Sequence, residues 1–78
     1  MVKVTYTQDR VVRLEGRLEG GILPELSVLE GAGWTIELSG VVSIDDRARE
    51  FLRRKRAEGC RLVGASMYIA QLLEERHP

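Results

Sequence analysis

Apolar and polar positions change rhythm along this chain. Val2, Val4 and Tyr6 alternate with Lys3, Thr5 and Thr7; after Gln8 and Asp9, Val12 and Leu14 alternate with Arg13 and Glu15. A period of two sends successive side chains to opposite faces of a strand, so these runs predict a hairpin. Ile22, Leu23, Leu26 and Leu29 recur at helical spacing, with Pro24 near the start, where its missing N–H costs little. Trp34, Ile36 and Leu38 return to alternation with Thr35, Glu37 and Ser39 and predict a third strand. Asp46 to Glu58 predicts a second helix with a thin apolar stripe, chiefly Ala48, Phe51 and Leu52. The aliphatic stem of Lys55 extends that stripe while its ammonium reaches for water. Gly59 stands in the favoured place just past the helix end. Cys60 to Val63 reads as a fourth strand, and Ser66 as the N-cap of a last helix with Ile69, Leu72 and Leu73 on one face.

Strands buried on both faces become nearly continuous apolar runs, whereas these keep a polar side. Helices are therefore expected on one face only. Strands joined through helices must run parallel by right-handed crossovers, so the sheet is expected to be antiparallel at its start and parallel afterwards. The expected architecture is a two-layer α/β sandwich, a mixed four-stranded sheet with about three helices mainly on one face, spanning residues 1–78 as a single domain. The opposite face, carrying Arg13, Glu15, Thr35 and Glu37, should be polar and either solvated or set against a partner. A homodimer stays open if the first strand leaves a free sheet edge.

Composition narrows function mainly by exclusion. Twelve basic residues balance twelve acidic ones, so bulk charge points to no partner. A single cysteine forms no internal disulfide, and with one histidine, His77, it completes no Cys/His metal set, which makes a reducing cytoplasm the simplest setting. The opening MVKVTYTQDR lacks the apolar core of a secretory signal, and no apolar run approaches the roughly 20 residues of a membrane span. No P-loop, G-x-S-x-G elbow, H-E-x-x-H or dinucleotide fingerprint occurs. The expectation is a protein without enzymatic activity, catalytic residues, cofactor or metal.

Two charged features remain. Ser43, Asp45 and Asp46 lie where the third strand's connection enters the second helix; a carboxylate or hydroxyl there caps unpaired first-turn N–H groups. Ser43 and Asp46 have S-x-x-D spacing, close to a capping box. Paired carboxylates also hold Mg²⁺ or act as acid and base, but such sites need further convergent polar groups. The run Arg53 to Arg56, with Arg47 and Arg49, gathers half the basic residues into ten positions. On a helix these splay around the circumference beside Glu50 and Glu58, so a solvated helix face is expected rather than a phosphate or nucleic-acid site.

From WTIELSGVVSIDD through EGCRLVGASMYIAQLL, and more loosely through VVRLEGRLEG, the chain resembles the STAS domain family, shared by sulfate transporters and anti-sigma-factor antagonists. Leu38-Ser39-Gly40, Ile44-Asp45, Gly59, Arg61-Leu62-Val63 and Ser66 fall in the family's order of strand, turn, helix, glycine, strand and last helix. The resemblance implies a bacterial-type, cytoplasmic protein-interaction module in signalling and transcription regulation. Antagonists of this family bind the ATPase-like fold of an anti-sigma kinase, which phosphorylates a serine or threonine immediately after an aspartate. Aligning Asp45 with that aspartate puts Asp46 in the acceptor's place; the alternative register aligns Asp46 with it and Arg47 with the acceptor. Neither register supplies a hydroxyl, so the turn resembles a permanently charged form. The small glycine common in the helix's first turns is replaced by Ala48 or Arg49. STAS proteins lacking the acceptor also serve as accessory subunits that dock on the ATPase of lipid-transport ABC systems, a second partner class. The expected partner-binding residues are Ser43, Asp45, Asp46, Arg47, Arg49, Glu50 and Arg53.

Overall fold

The computed structural model describes residues 2–7, 9–21 and 33–74. Its elements are β1 (Val2–Tyr6), β2 (Val11–Leu18), β3 (Thr35–Ile44), α1 (Asp46–Ala57), β4 (Arg61–Val63) and α2 (Met67–Glu74). They form a mixed four-stranded sheet in the order β1-β2-β3-β4. β1 runs antiparallel to β2, while β2 with β3 and β3 with β4 are parallel, as the alternation and crossovers lead one to expect. The helix expected over 22–29 lies outside the described residues. α1 and α2 are the helices among the described residues.

One apolar layer joins sheet and helices. Val12, Leu14 and Leu18 of β2 meet Ile36, Leu38 and Val41 of β3, with Ala48 and Leu52 of α1 and Ile69 and Leu73 of α2 closing over them. Cys60 belongs to the same cluster and is buried in it. Lys55 behaves as its neighbours require: the side chain is buried, and its Nζ lies 3.2 Å from Glu58 Oε1 and 5.6 Å from the Phe51 ring centre. The stem thus completes a stripe that the apolar residues of α1 leave narrow.

The longest departure from the expected pattern is in β3. The strand does not end at Ser39 but runs through Gly40, Val41, Val42 and Ser43 to Ile44. Pairing moves from Arg13 opposite Glu37 to Glu15 opposite Gly40, then from Gly16 opposite Val41 to Arg17 opposite Ser43. At each step β3 uses one residue more than β2, which is how a bulge lengthens one strand. The inward parity therefore shifts from Ile36 and Leu38 to Val41. A strand whose alternation breaks twice reads as a loop in sequence.

The second face of the sheet is polar. A row of cross-strand neighbours, Thr5, Arg13, Glu37 and Val63, crosses all four strands. Ser39 Oγ donates to Glu37 Oε1 at 2.8 Å, and Arg13 Nε lies 3.4 Å from the same oxygen. The Ser39 hydroxyl, and behind it the Arg13 guanidinium, hold the Glu37 carboxyl below the usual carboxylate range. Ser66 precedes α2 and caps it, its Oγ accepting from Ile69 N at 3.2 Å. Gly59, past the end of α1, takes φ +105.

Gly64, between β4 and α2, takes φ +74, and a Cβ there would lie 3.2 Å from Ser39 Cβ. Left-handed backbone costs an L-residue about 1–2 kcal/mol. Gly64→Ala should therefore lower stability by about 1–2 kcal/mol in urea unfolding. An unchanged midpoint would mean that this turn is not held as the structure has it.

Candidate functional site

Asp45 links three segments at the point where β3 gives way to α1. Its backbone is extended, with φ −90° and ψ 179°, as an N-cap requires. Its Oδ1 accepts from Ala48 N and its Oδ2 from Gly20 N, both at 2.8 Å. Its own N–H donates to Leu18 O at 3.2 Å. The Ala48 N–H first, the Gly20 N–H next, and the charge of Arg47 after them hold the carboxyl below its ordinary range. One carboxylate thereby ties the exit of β2 to the first turn of α1, and both of its oxygens are engaged in doing so.

The expected capping box is not formed. Ser43 lies inside β3 opposite Arg17, half-buried, so the cap is Asp45 and its partner is the Ala48 N–H. The reason is the extra strand length: β3 persists through Ile44, and only Asp45 has left the ladder.

Asp46 has a different environment. It is the first residue of α1, its side chain is 98% exposed, and its Oδ1 lies 3.7 Å from Arg49 Nη2. Arg47 is exposed, and its stem lies against Gly20, where a Cβ would stand 2.7 Å from Arg47 Cδ. Glu50 is exposed, whereas Arg49 and Arg53 are half-buried. Among the expected interaction residues, Asp45, Asp46, Arg47 and Glu50 are exposed, Asp45 while its carboxylate caps α1. Ser43, Arg49 and Arg53 are turned partly into the protein.

The basic run is dispersed in the same way. Lys55 is buried and paired with Glu58, while Arg56 Nη1 reaches Glu74 Oε1 of α2 at 2.5 Å. That exposed bridge joins the two helices but adds well under about 1 kcal/mol. No group of three or more metal-ligating side chains converges among the described residues. No helix among them is long and apolar enough to cross a membrane.

Sequence reading missed the exposed apolar residues. Val42 is 64% exposed on β3, three residues before the cap. Met67 and Tyr68 are exposed on α2, where Tyr68, Gln71, Leu72 and Glu74 line an open depression. The signal for the α2 pair was available: Ile69 and Leu73 set the inward phase, and both residues lie off it. Val42 carried no such signal, because its direction follows from the second bulge.

With this geometry in view, the chain was compared with models of known protein families, with curated proteins and with solved structures, and none of the three gives a match.

Proposed function

We propose that the chain is a non-enzymatic STAS-like interaction module that presents the first turn of α1 to a protein partner with an ATPase fold, of the anti-sigma kinase type. The observation that carries this reading is the division between the adjacent aspartates, both at the surface: the two carboxylate oxygens of Asp45 accept backbone N–H groups as the cap, whereas the side chain of Asp46, on the first helical residue, is 98% exposed. That favours the register in which Asp45 corresponds to the family aspartate and Asp46 occupies the acceptor's place. Support also comes from the element order, a hairpin followed by strand, helix, strand and helix. A carboxylate at this position carries one negative charge where a phosphoserine carries about −1.5 to −2, so the module acts as a permanently charged form. Val42, exposed beside the turn, supplies an apolar contact at the same edge.

Calorimetric titration of purified anti-sigma kinase ATPase domains from the source cell tests this. Asp46→Arg should weaken binding at least about tenfold, because like charges brought together at an interface cost more than the 1.4 kcal/mol that a factor of ten represents. With ATP, the wild-type turn should stay unphosphorylated and Asp46→Ser should become a substrate. Equal binding by wild type and Asp46→Arg would remove this turn from the interface. Stoichiometric phosphate on Ser43 would move the regulatory position into β3. Selective binding to a lipid-transport ABC ATPase instead would reassign the partner class.

A further inference from the structure

Among the described residues β1 stands at the end of the sheet, with β2 on one side only. The backbone register shows which of its groups point outward. Thr7 N donates to Val11 O at 2.8 Å, so Thr7 and Val11 form a hydrogen-bonded pair. In an antiparallel ladder such pairs alternate with non-hydrogen-bonded ones. Thr5 with Arg13 and Lys3 with Glu15 are then bonded pairs, whereas Val4 with Leu14 and Val2 with Gly16 are not. The N–H and C=O of Val2 and Val4 consequently face away from β2, along the sheet edge.

We infer that this edge pairs antiparallel with β1 of a second copy of the chain, about a two-fold axis through Val4, to give one continuous eight-stranded sheet. The sequence Val2-Lys3-Val4-Thr5-Tyr6 is palindromic in polarity about Val4, so the axis superposes apolar on apolar and polar on polar positions. Val4 exchanges both backbone bonds with Val4 of the second copy. Val2, half-buried in one copy, comes beside the Tyr6 ring, 46% exposed, of the other. Lysine on an edge strand commonly prevents such pairing. Here the axis sets Lys3 opposite Thr5 of the second copy, so the two ammonium groups avoid each other. The formal net charge of zero leaves no long-range repulsion between copies. The opposite edge is less suited, since β4 has three residues. α1 follows β3, two strands from the seam, so the first turn of α1 stays accessible in the dimer.

Sedimentation equilibrium of the full chain, from about 1 µM to about 1 mM, tests the pairing. A monomer–dimer equilibrium is expected. Val4→Pro should weaken it at least about tenfold while far-UV circular dichroism stays folded, because the lost N–H serves the seam and not the β1–β2 ladder. Two changes at one exposed position report the register. Thr5→Glu faces Lys3 of the other copy twice and should tighten association about threefold to tenfold, less at high salt; Thr5→Lys should weaken it comparably. A monomer at every concentration would overturn the inference. So would a dimer in which the two Thr5 variants leave association unchanged or shift it in the same direction.

Discussion

Leu14→Ala is expected to lower the melting temperature by about 8–40 °C. Leu14 is fully buried on β2, between β1 and β3, in the layer shared by both helices. Truncating a buried leucine costs about 2–5 kcal/mol, through lost transfer free energy and the cavity left behind. In a domain of this size each kcal/mol moves the midpoint by about 4–8 °C. A chain of 78 residues has a total stability of only about 4–12 kcal/mol, so such a loss removes a large share of it. Thermal unfolding followed by circular dichroism measures the shift. Gln71→Ala, exposed on α2, serves as the control and should stay within about ±0.5 kcal/mol of wild type. A Leu14→Ala midpoint within 5 °C of wild type, an order-of-magnitude bound set by the same scaling, would contradict a single shared core.

The second large effect is at the cap. Asp45→Ala should cost about 1–2 kcal/mol, because it leaves the Ala48 and Gly20 N–H groups without their acceptors. Asp45→Asn should fall between the two, since an amide has one acceptor oxygen where the carboxylate uses both. The effect depends on pH with a definite sign. The folded carboxyl is held below its ordinary range, so near pH 4 the unfolded chain binds more protons and stability rises with pH. The Asp45 contribution is complete above the unfolded pKa of about 3.9 and is lost as pH falls through the lower folded value. The gap between wild type and Asp45→Asn in urea unfolding should therefore be widest near neutrality and close in acid. A gap that widened below pH 4 would show that the carboxylate is not the favoured form at this turn. Glu37, lowered by Ser39 and Arg13, contributes in the same direction, and Ser39→Ala separates its share.

Much of this was legible because local chemistry is repeated at each level. Alternation placed Val12, Leu14, Ile36 and Leu38 inward, helical spacing placed Ala48, Leu52, Ile69 and Leu73, and all eight lie in the core. Gly59 and Ser66 mark a helix end and a helix start through backbone needs that one residue can state. Polar residues alternating with the core positions along the strands marked the second face of the sheet as polar. A capping aspartate is legible for the same reason, since a helix start demands acceptors within a few positions; the structure gives that role to Asp45 and not to Asp46.

What the sequence by itself determined is therefore what depends on near neighbours: the alternation of the strands, the ends of the helices, the polarity of each face and the mixed direction of the sheet. The tertiary structure alone decided which aspartate caps α1 and reaches Gly20. That choice depends on two bulges that lengthen β3 against β2, on the Gly20 N–H arriving from 25 residues away, and on Leu18 O receiving the Asp45 N–H. It likewise exposed Val42 and turned Arg49 and Arg53 partly inward. Periodicity records which face a side chain prefers, but register between strands distant in sequence is set by pairing and packing together, and no local pattern encodes it.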